Sequence, residues 1–149
     1  ESLIWGTNSR LDNLQAGFGN IMLKKIRTWN NRQLKIAKNY TKSLKKYLKT
    51  PVFELKNSNP TFHQYIVRTK HRKELQKFLN LNKIDTAIHY PIPIHKQVAY
   101  KKKFGNISLP MTEKFSKEIL SLPINAFMTD QEVSYVIKKV QNFFEKKLK

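Results

Sequence analysis

Apolar residues recur at helical spacing along the first third of the chain: Leu11, Leu14, Phe18, Ile21, Met22, Trp29, Ile36, Ala37, Tyr40, Leu44 and Leu48. No proline interrupts this pattern before Pro51. It predicts one helix over 11–49, capped by Asn8 or Ser9, with Asp12 placed favourably in its first turn. Such a helix would be roughly 55 Å long at 1.5 Å per residue, more than the width of a small domain. It must therefore bend, break or lie against something outside this chain. Gly17 and Gly19 each weaken it by about 1 kcal/mol relative to Ala, or admit the close approach of another backbone.

Beyond Pro51 the pattern shortens. Residues 51–60 read as a connection, with a short strand around 52–55. Residues 62–69 alternate and carry Tyr65, Ile66 and Val67, which predicts a strand. A helix follows over 70–81, with Leu75, Phe78 and Leu79 on one face. A second strand is predicted over 84–90, ended by Pro91 and Pro93. Residues 95–106 read as a loop or short helix, basic at Lys101-Lys102-Lys103. A helix over 112–119, with Thr112 as its cap, leads into a strand at 120–122. Thr129-Asp130-Gln131-Glu132 has the form of a capping box. It opens a last helix that buries Val133, Val136, Ile137, Val140, Phe143 and Phe144. A long helix followed by β-α-β, a loop and α-β-α predicts a small α/β layer with helices packed on one sheet.

Composition narrows the partners. The 149 residues suit one domain, or one domain plus an arm, and 40% apolar residues suffice for a modest core. With no cysteine, a disulfide framework and a thiolate metal site are excluded, and a reducing, cytoplasmic setting is expected. No apolar run approaches the roughly 20 residues that span a bilayer, so no membrane is expected. The first residues lack the basic region of a signal peptide, and without an initiator Met the chain is expected to begin inside a longer one. A formal charge of +19 invites an anionic partner. That charge is Lys-rich and spread from Lys24 to Lys149, in a sequence also rich in Asn and Ile. It is assigned mainly to composition bias and solvated faces.

Two stretches carry chemistry. Gly6-Thr7-Asn8-Ser9-Arg10 places an amide, a hydroxyl and a guanidinium beside a helix start, where unpaired N–H groups favour anions and Arg can grip a phosphate with two parallel bonds. An ordinary cap followed by a surface Arg explains the same spacing. His89-Tyr90-Pro91-Ile92-Pro93-Ile94-His95 places an imidazole and a phenol at a strand end, then holds the exit extended with two prolines. A core-edge His beside a half-buried Tyr is the plainer reading. Two histidines six apart across prolines are poorly spaced for one metal, so no metal site is expected. His63 and His71 read as structural or solvated. The sequence has no Walker or Rossmann phosphate loop, no GxSxG elbow, no HExxH and no RNP motif.

Gly6-Thr7-Asn8-Ser9-Arg10-Leu11-Asp12-Asn13-Leu14-Gln15-Ala16 resembles the G-x-N-x-R-x-D-x-x-Q-A segment of the DegT/DnrJ/EryC1/StrS aminotransferases, PLP-dependent enzymes that aminate nucleotide-linked ketosugars. The resemblance continues in family order through Trp29-Asn30-Asn31-Arg32, Ile36-Ala37, Tyr40, His63-Gln64-Tyr65 and the segment from Ile88 to Gln97. Leu109-Pro110-Met111-Thr112-Glu113 and Leu120-Ser121-Leu122-Pro123 complete it. Gly17, Phe18 and Gly19 depart from the small-residue, Leu-rich helix usual after Gln-Ala.

The resemblance is to the family's C-terminal part. It implies a fold-type I PLP-dependent transferase whose large domain is absent from this chain. Residues 1–50 would form the interdomain helix with a cofactor-phosphate-binding entry, and 51–149 the small C-terminal α/β domain. The large domain would bring the Schiff-base lysine, the Asp facing the pyridine nitrogen and the stacking aromatic. No lysine here sits in the family's lysine motif, so the chain alone is expected to be inactive. By position, Asn8 would reach the PLP phosphate of the neighbouring subunit, and Arg10 would contact phosphate or nucleotide groups. His89 and Tyr90 would contact the nucleotide-sugar, and His95 would contact it or orient the loop. The implied reaction moves an amino group from an amino-acid donor such as glutamate to a ketosugar, with the His-Tyr-Pro-x-Pro-x-His form leaning toward amination at C3. The implied assembly is a homodimer through the long helix. Two other readings stand beside this one: a basic nucleic-acid-binding module, which would need a Lys/Arg stripe and strongly salt-dependent affinity, and an inactive gene remnant. Nucleic acid is not the expected partner.

Overall fold

The computed structural model describes residues 3, 6, 10–52 and 60–147. The first helix, α1, spans Asn13–Leu23, and Asp12 is its cap: Oδ1 accepts from the N–H of Gln15 at 2.7 Å. Asp12 therefore stands outside the first turn rather than within it. Asn8 and Ser9 lie outside the described residues. The helix runs unbroken through Gly17 and Gly19, and nothing lies within 4 Å of where a Cβ would stand at either. The expected single helix is divided at Lys24-Lys25, and α2 covers Ile26–Leu44. The reason lies in burial. α1 buries no side chain, whereas α2 buries Ile36, Ala37, Tyr40 and Leu44. No core contact holds the two segments in line.

After α2 the chain turns through Tyr47 and Leu48, whose N–H groups both donate to the Leu44 carbonyl. The strand expected around 52–55 falls beyond residue 52 outside the described residues, and 51–52 form none. The first strand, β1, covers Tyr65–Arg68 and pairs antiparallel with β2, Ile119–Leu122, with Tyr65 opposite Leu122 and Arg68 opposite Ile119. β1 is shorter than the expected 62–69. Phe62 takes a φ of 50°, in the left-handed region where a strand cannot run. The helix α3 (Arg72–Leu81) buries Leu75 and Leu79.

The strand expected over 84–90 is reduced to one bridge. Ala87 exchanges both backbone bonds with Ser121, at 3.3 and 2.8 Å. The two prolines that follow take the chain away before a ladder extends. A 3₁₀ turn, Ile94–Lys96, then precedes α4 (Val98–Phe104), which ends at Gly105 with φ 75°. The helix α5 (Pro110–Glu118) is capped by Leu109, not Thr112, because Pro110 fits the first helical position, where its missing N–H costs nothing. The capping box opens α6 (Asp130–Lys147) as predicted: Thr129 N–H donates to Glu132 Oε2 at 2.7 Å, and Glu132 N–H donates to Thr129 Oγ1 at 3.1 Å.

One core joins α2, β1, α3, β2 and α6. Tyr40 of α2, Tyr65 and Val67 of β1, Leu75 and Leu79 of α3, Leu120 of β2 and Val140 of α6 are fully buried. Two tyrosine hydroxyls inside it are satisfied: Tyr40 donates to the Pro123 carbonyl at 2.9 Å, and Tyr65 lies 2.7 Å from Thr41 Oγ1. Burial pushes the Tyr65 hydroxyl up to about 12 and raises that of Tyr40 further. Among the described residues, no helix is long and apolar enough to cross a membrane.

Candidate functional site at the end of the two-stranded ladder

Ser121 is a polar residue inside an apolar strand, flanked by the buried Leu120 and Leu122. Its backbone pairs with Ile66 on one side and with Ala87 on the other, which brings residues 85–89 alongside β2. The buried hydroxyl is used there: Ser121 Oγ lies 2.8 Å from Nδ1 of His89. This bond fixes the imidazole ring and leaves Nε2 for another partner. His89 shares a cavity of about 260 Å³ with His63, Gln64, Asp85, Thr86 and Ser121. The Thr86 hydroxyl oxygen is covered and makes no hydrogen bond.

Tyr90 contrasts with its neighbour. The residue is 71% exposed, and its ring stands edge-on to His89 with centroids 5.5 Å apart. A free phenol on an anchored imidazole is a good contact surface for a sugar, a base or a phosphate oxygen. Tyr90 opens onto a second, larger groove of about 770 Å³, walled by Pro91, Ile92, Pro93, Tyr100, Phe115 and Ile119, with His95 in its lining.

The prolyl loop that forms this groove is tied down by one carboxylate. Glu113 Oε1 accepts from Lys96 Nζ at 3.0 Å, from Leu109 N–H at 3.0 Å, and lies 3.1 Å from His95 Nε2. These bonds hold its carboxyl well below the usual range, at about 2. His95 itself is buried. With Nε2 engaged by Glu113, its side chain fixes the loop from beneath.

Arg10 is exposed and lies two residues ahead of the Asp12 cap. It lines neither the His89 cavity nor the Tyr90 groove. Asn8 lies outside the described residues. Of the residues singled out from sequence, His89, Tyr90 and His95 are thus gathered on one side of β2, and Arg10 stands apart from them. His63, read from sequence as structural or solvated, joins His89 in one cavity. Ser121 and Glu113, which hold the two histidines, were not singled out as site residues. A lone hydroxyl between two leucines was the available signal for Ser121. Among the described residues, no three His, Asp or Glu side chains cluster as metal ligands.

The family model of the DegT/DnrJ/EryC1/StrS aminotransferases matches residues 1–141. The chain belongs to this family. It is 37% identical over 144 residues to a dTDP-3-amino-3,6-dideoxy-alpha-D-galactopyranose transaminase of Aneurinibacillus thermoaerophilus, covering 96% of this chain but 39% of that protein. The crystal structure of DesV from S. venezuelae, in complex with a ketimine intermediate, superposes with a TM-score of 0.84 at 36% identity, over 93% of this chain and 38% of that one. NtdA from Bacillus subtilis, solved with bound cofactor PMP, gives a TM-score of 0.80 at 26% identity, over 92% of this chain and 33% of that one. The chain therefore spans between a third and two-fifths of the length of such relatives, and its mixed helix and sheet architecture is one that family members contain.

Proposed function

We propose that this chain is the C-terminal portion of a PLP-dependent aminotransferase that moves an amino group from an amino acid, glutamate in the first instance, to a nucleotide-linked ketosugar. The observation that carries the reading is the pairing of an anchored His89 with an exposed Tyr90 on the ladder edge, in a chain matched by the family model over 1–141. The names of the relatives favour amination at C3 of a dTDP-linked sugar.

By its place in the family motif, Arg10, with Asn8, would hold the cofactor's phosphate, the guanidinium gripping it with two parallel bonds. When bound, the cofactor supplies the electron sink that lets an amino group change carriers. The lysine needed to hold it would come from the large domain preceding residue 1, and the 149 residues alone would not transaminate. In the intact enzyme Tyr90 and the free Nε2 of His89 would bind the diphosphate or sugar of the substrate. His95 would position the prolyl loop through Glu113, while the apolar wall of the groove would shield the reacting end from water.

The exposed face of α1 supports the same reading. Leu11, Leu14, Phe18, Ile21 and Met22 lie in the open, an apolar patch of the kind that marks an interface. Residues 1–50 would be the interdomain helix and 51–149 the small domain, with the large domain and a second subunit covering this face. Asn8 and Arg10 would then serve the partner's cofactor in a homodimer. The coding sequence upstream of Glu1 tests this. An in-frame large domain with the cofactor lysine, and weakened PLP retention on Asn8→Ala in the dimer, would support the reading. A stop codon or unrelated sequence there would overturn it.

A further inference from the structure

Toward the other end of the ladder from His89, beyond Arg68 and Ile119, lies a cavity of about 510 Å³ that shares no lining residue with the His89 cavity or the Tyr90 groove. Two ladder positions, roughly 7 Å at about 3.3 Å per residue, separate Ser121, which holds His89, from that end. Six cationic side chains line it, Lys45, Lys46, Lys49, Arg68, Lys70 and Lys114, together with His71, against one acid, Glu118. That excess is twice as steep as in the whole chain, where 29 Lys and Arg face 10 Asp and Glu.

These charges are held together by the fold. Lys49 and Arg68 form an antiparallel bridge, exchanging both backbone bonds at 3.1 and 2.9 Å. The register thus places two cations directly opposite each other, an arrangement that is destabilising unless something neutralises it. Glu118 does so only weakly, since its carboxylate stands 3.8 Å from Arg68 Nε. That Nε is covered and makes no hydrogen bond. The guanidinium is meanwhile flattened on the Phe115 ring, 3.6 Å from its centroid, which pre-orients its planar fork. Lys45, Lys49, Lys70 and Lys114 make no ion pair among the described residues.

We propose that this cavity binds a compact oligophosphate, the size of a di- or triphosphate, with Arg68 gripping one phosphate and the lysines of α5 and of the two connections neutralising the rest. The cations converge on a concavity, which suits a small multiply charged anion better than a polynucleotide lying along a stripe. The site needs neither PLP nor a ketosugar, so it stands or falls independently of the aminotransferase reading.

The test is calorimetric titration of inorganic triphosphate into the full-length protein at physiological salt, with three variants. One is the triple Lys49→Gln/Lys70→Gln/Lys114→Gln. A second, equal in charge, is Lys38→Gln/Lys77→Gln/Lys138→Gln at exposed positions elsewhere. The third is Arg68→Lys, which keeps the charge and removes the fork. We expect one equivalent bound per chain, about a tenfold loss of affinity in the cavity triple, a severalfold loss in Arg68→Lys, and no change in the exposed triple. The exposed triple also reports on diffuse charge, and the thermal transition of each variant reports on folding. Equal loss in both triples, absence of binding in the parent protein, or tighter binding of an oligothymidylate that ignores the cavity triple would each overturn the proposal.

Discussion

The Ser121 hydroxyl lies 2.8 Å from Nδ1 of His89, joining a buried strand residue to a half-buried imidazole 32 positions earlier. Because Ser121 is buried between two leucines, the ring it holds inherits the rigidity of the core. Tyr90, next in sequence, is left free at the surface. A fixed group beside a free one lets a protein bind a ligand without first ordering the whole site.

Ser121→Ala should therefore loosen the imidazole more than the fold. The expected cost in stability is about 1 kcal/mol, the typical net worth of one hydrogen bond, read as a shift in the urea midpoint. In the proposed aminotransferase KM for the nucleotide sugar should rise severalfold, with kcat changed less. An unchanged KM would remove Ser121 from any role in positioning His89.

Glu113 makes a pH prediction whose sign follows from its lowered carboxyl. The group is held at about 2 in the fold against 4.5 for the free side chain. Its contribution is thus fully present above the free value and is lost as pH falls from there through about 2. Thermal melts between pH 5 and pH 2 should show the parent chain losing more stability than Glu113→Gln over that window. At neutral pH the variant should be the less stable of the two, and its prolyl loop should exchange amide protons faster. Parallel pH profiles would show that the three bonds to Glu113 do not act on stability.

Tyr40→Phe removes the donor to the Pro123 carbonyl while keeping the ring. We expect a loss of about 1–2 kcal/mol, because a part-buried carbonyl is left without that partner. Tyr47→Phe, whose hydroxyl bonds Glu145 at an exposed position, should by contrast change little. Denaturant midpoints of the two variants check the difference.

The apolar face of α1 predicts association. Leu14→Glu with Ile21→Glu changes two exposed residues, 72% and 66% accessible. In the 149-residue chain the pair should leave the melting temperature within a degree or two and reduce self-association in light scattering. In the proposed aminotransferase the same pair should disrupt the proposed dimer or domain packing and weaken cofactor retention.

Legibility in the sequence followed the range of the interaction. The capping box at Thr129 and Glu132, the stripe of α6 and the helix α3 depend on neighbours three or four residues away, and periodicity revealed them. The break at Lys24-Lys25 depends instead on what α1 fails to pack against, which no local pattern encodes. The run at 84–90 has strand-forming residues but only one partner residue within reach, so propensity exceeded pairing. His89 and Tyr90 stood out by residue type and by the prolines after them. The relation of His89 to His63 and Ser121, and of His95 to Glu113, did not, because antiparallel register and loop packing bring together residues many positions apart.

The proposed reaction is amino transfer to a nucleotide-linked ketosugar. The most direct measurement incubates the intact protein that contains this chain with PLP, glutamate and a dTDP-linked 3-ketosugar, and follows both products by mass spectrometry. We expect amino sugar and 2-oxoglutarate in equal amounts, with both falling sharply in His89→Ala and Arg10→Ala. A folded, PLP-loaded protein that transfers no amino group to any nucleotide-linked ketosugar would contradict it.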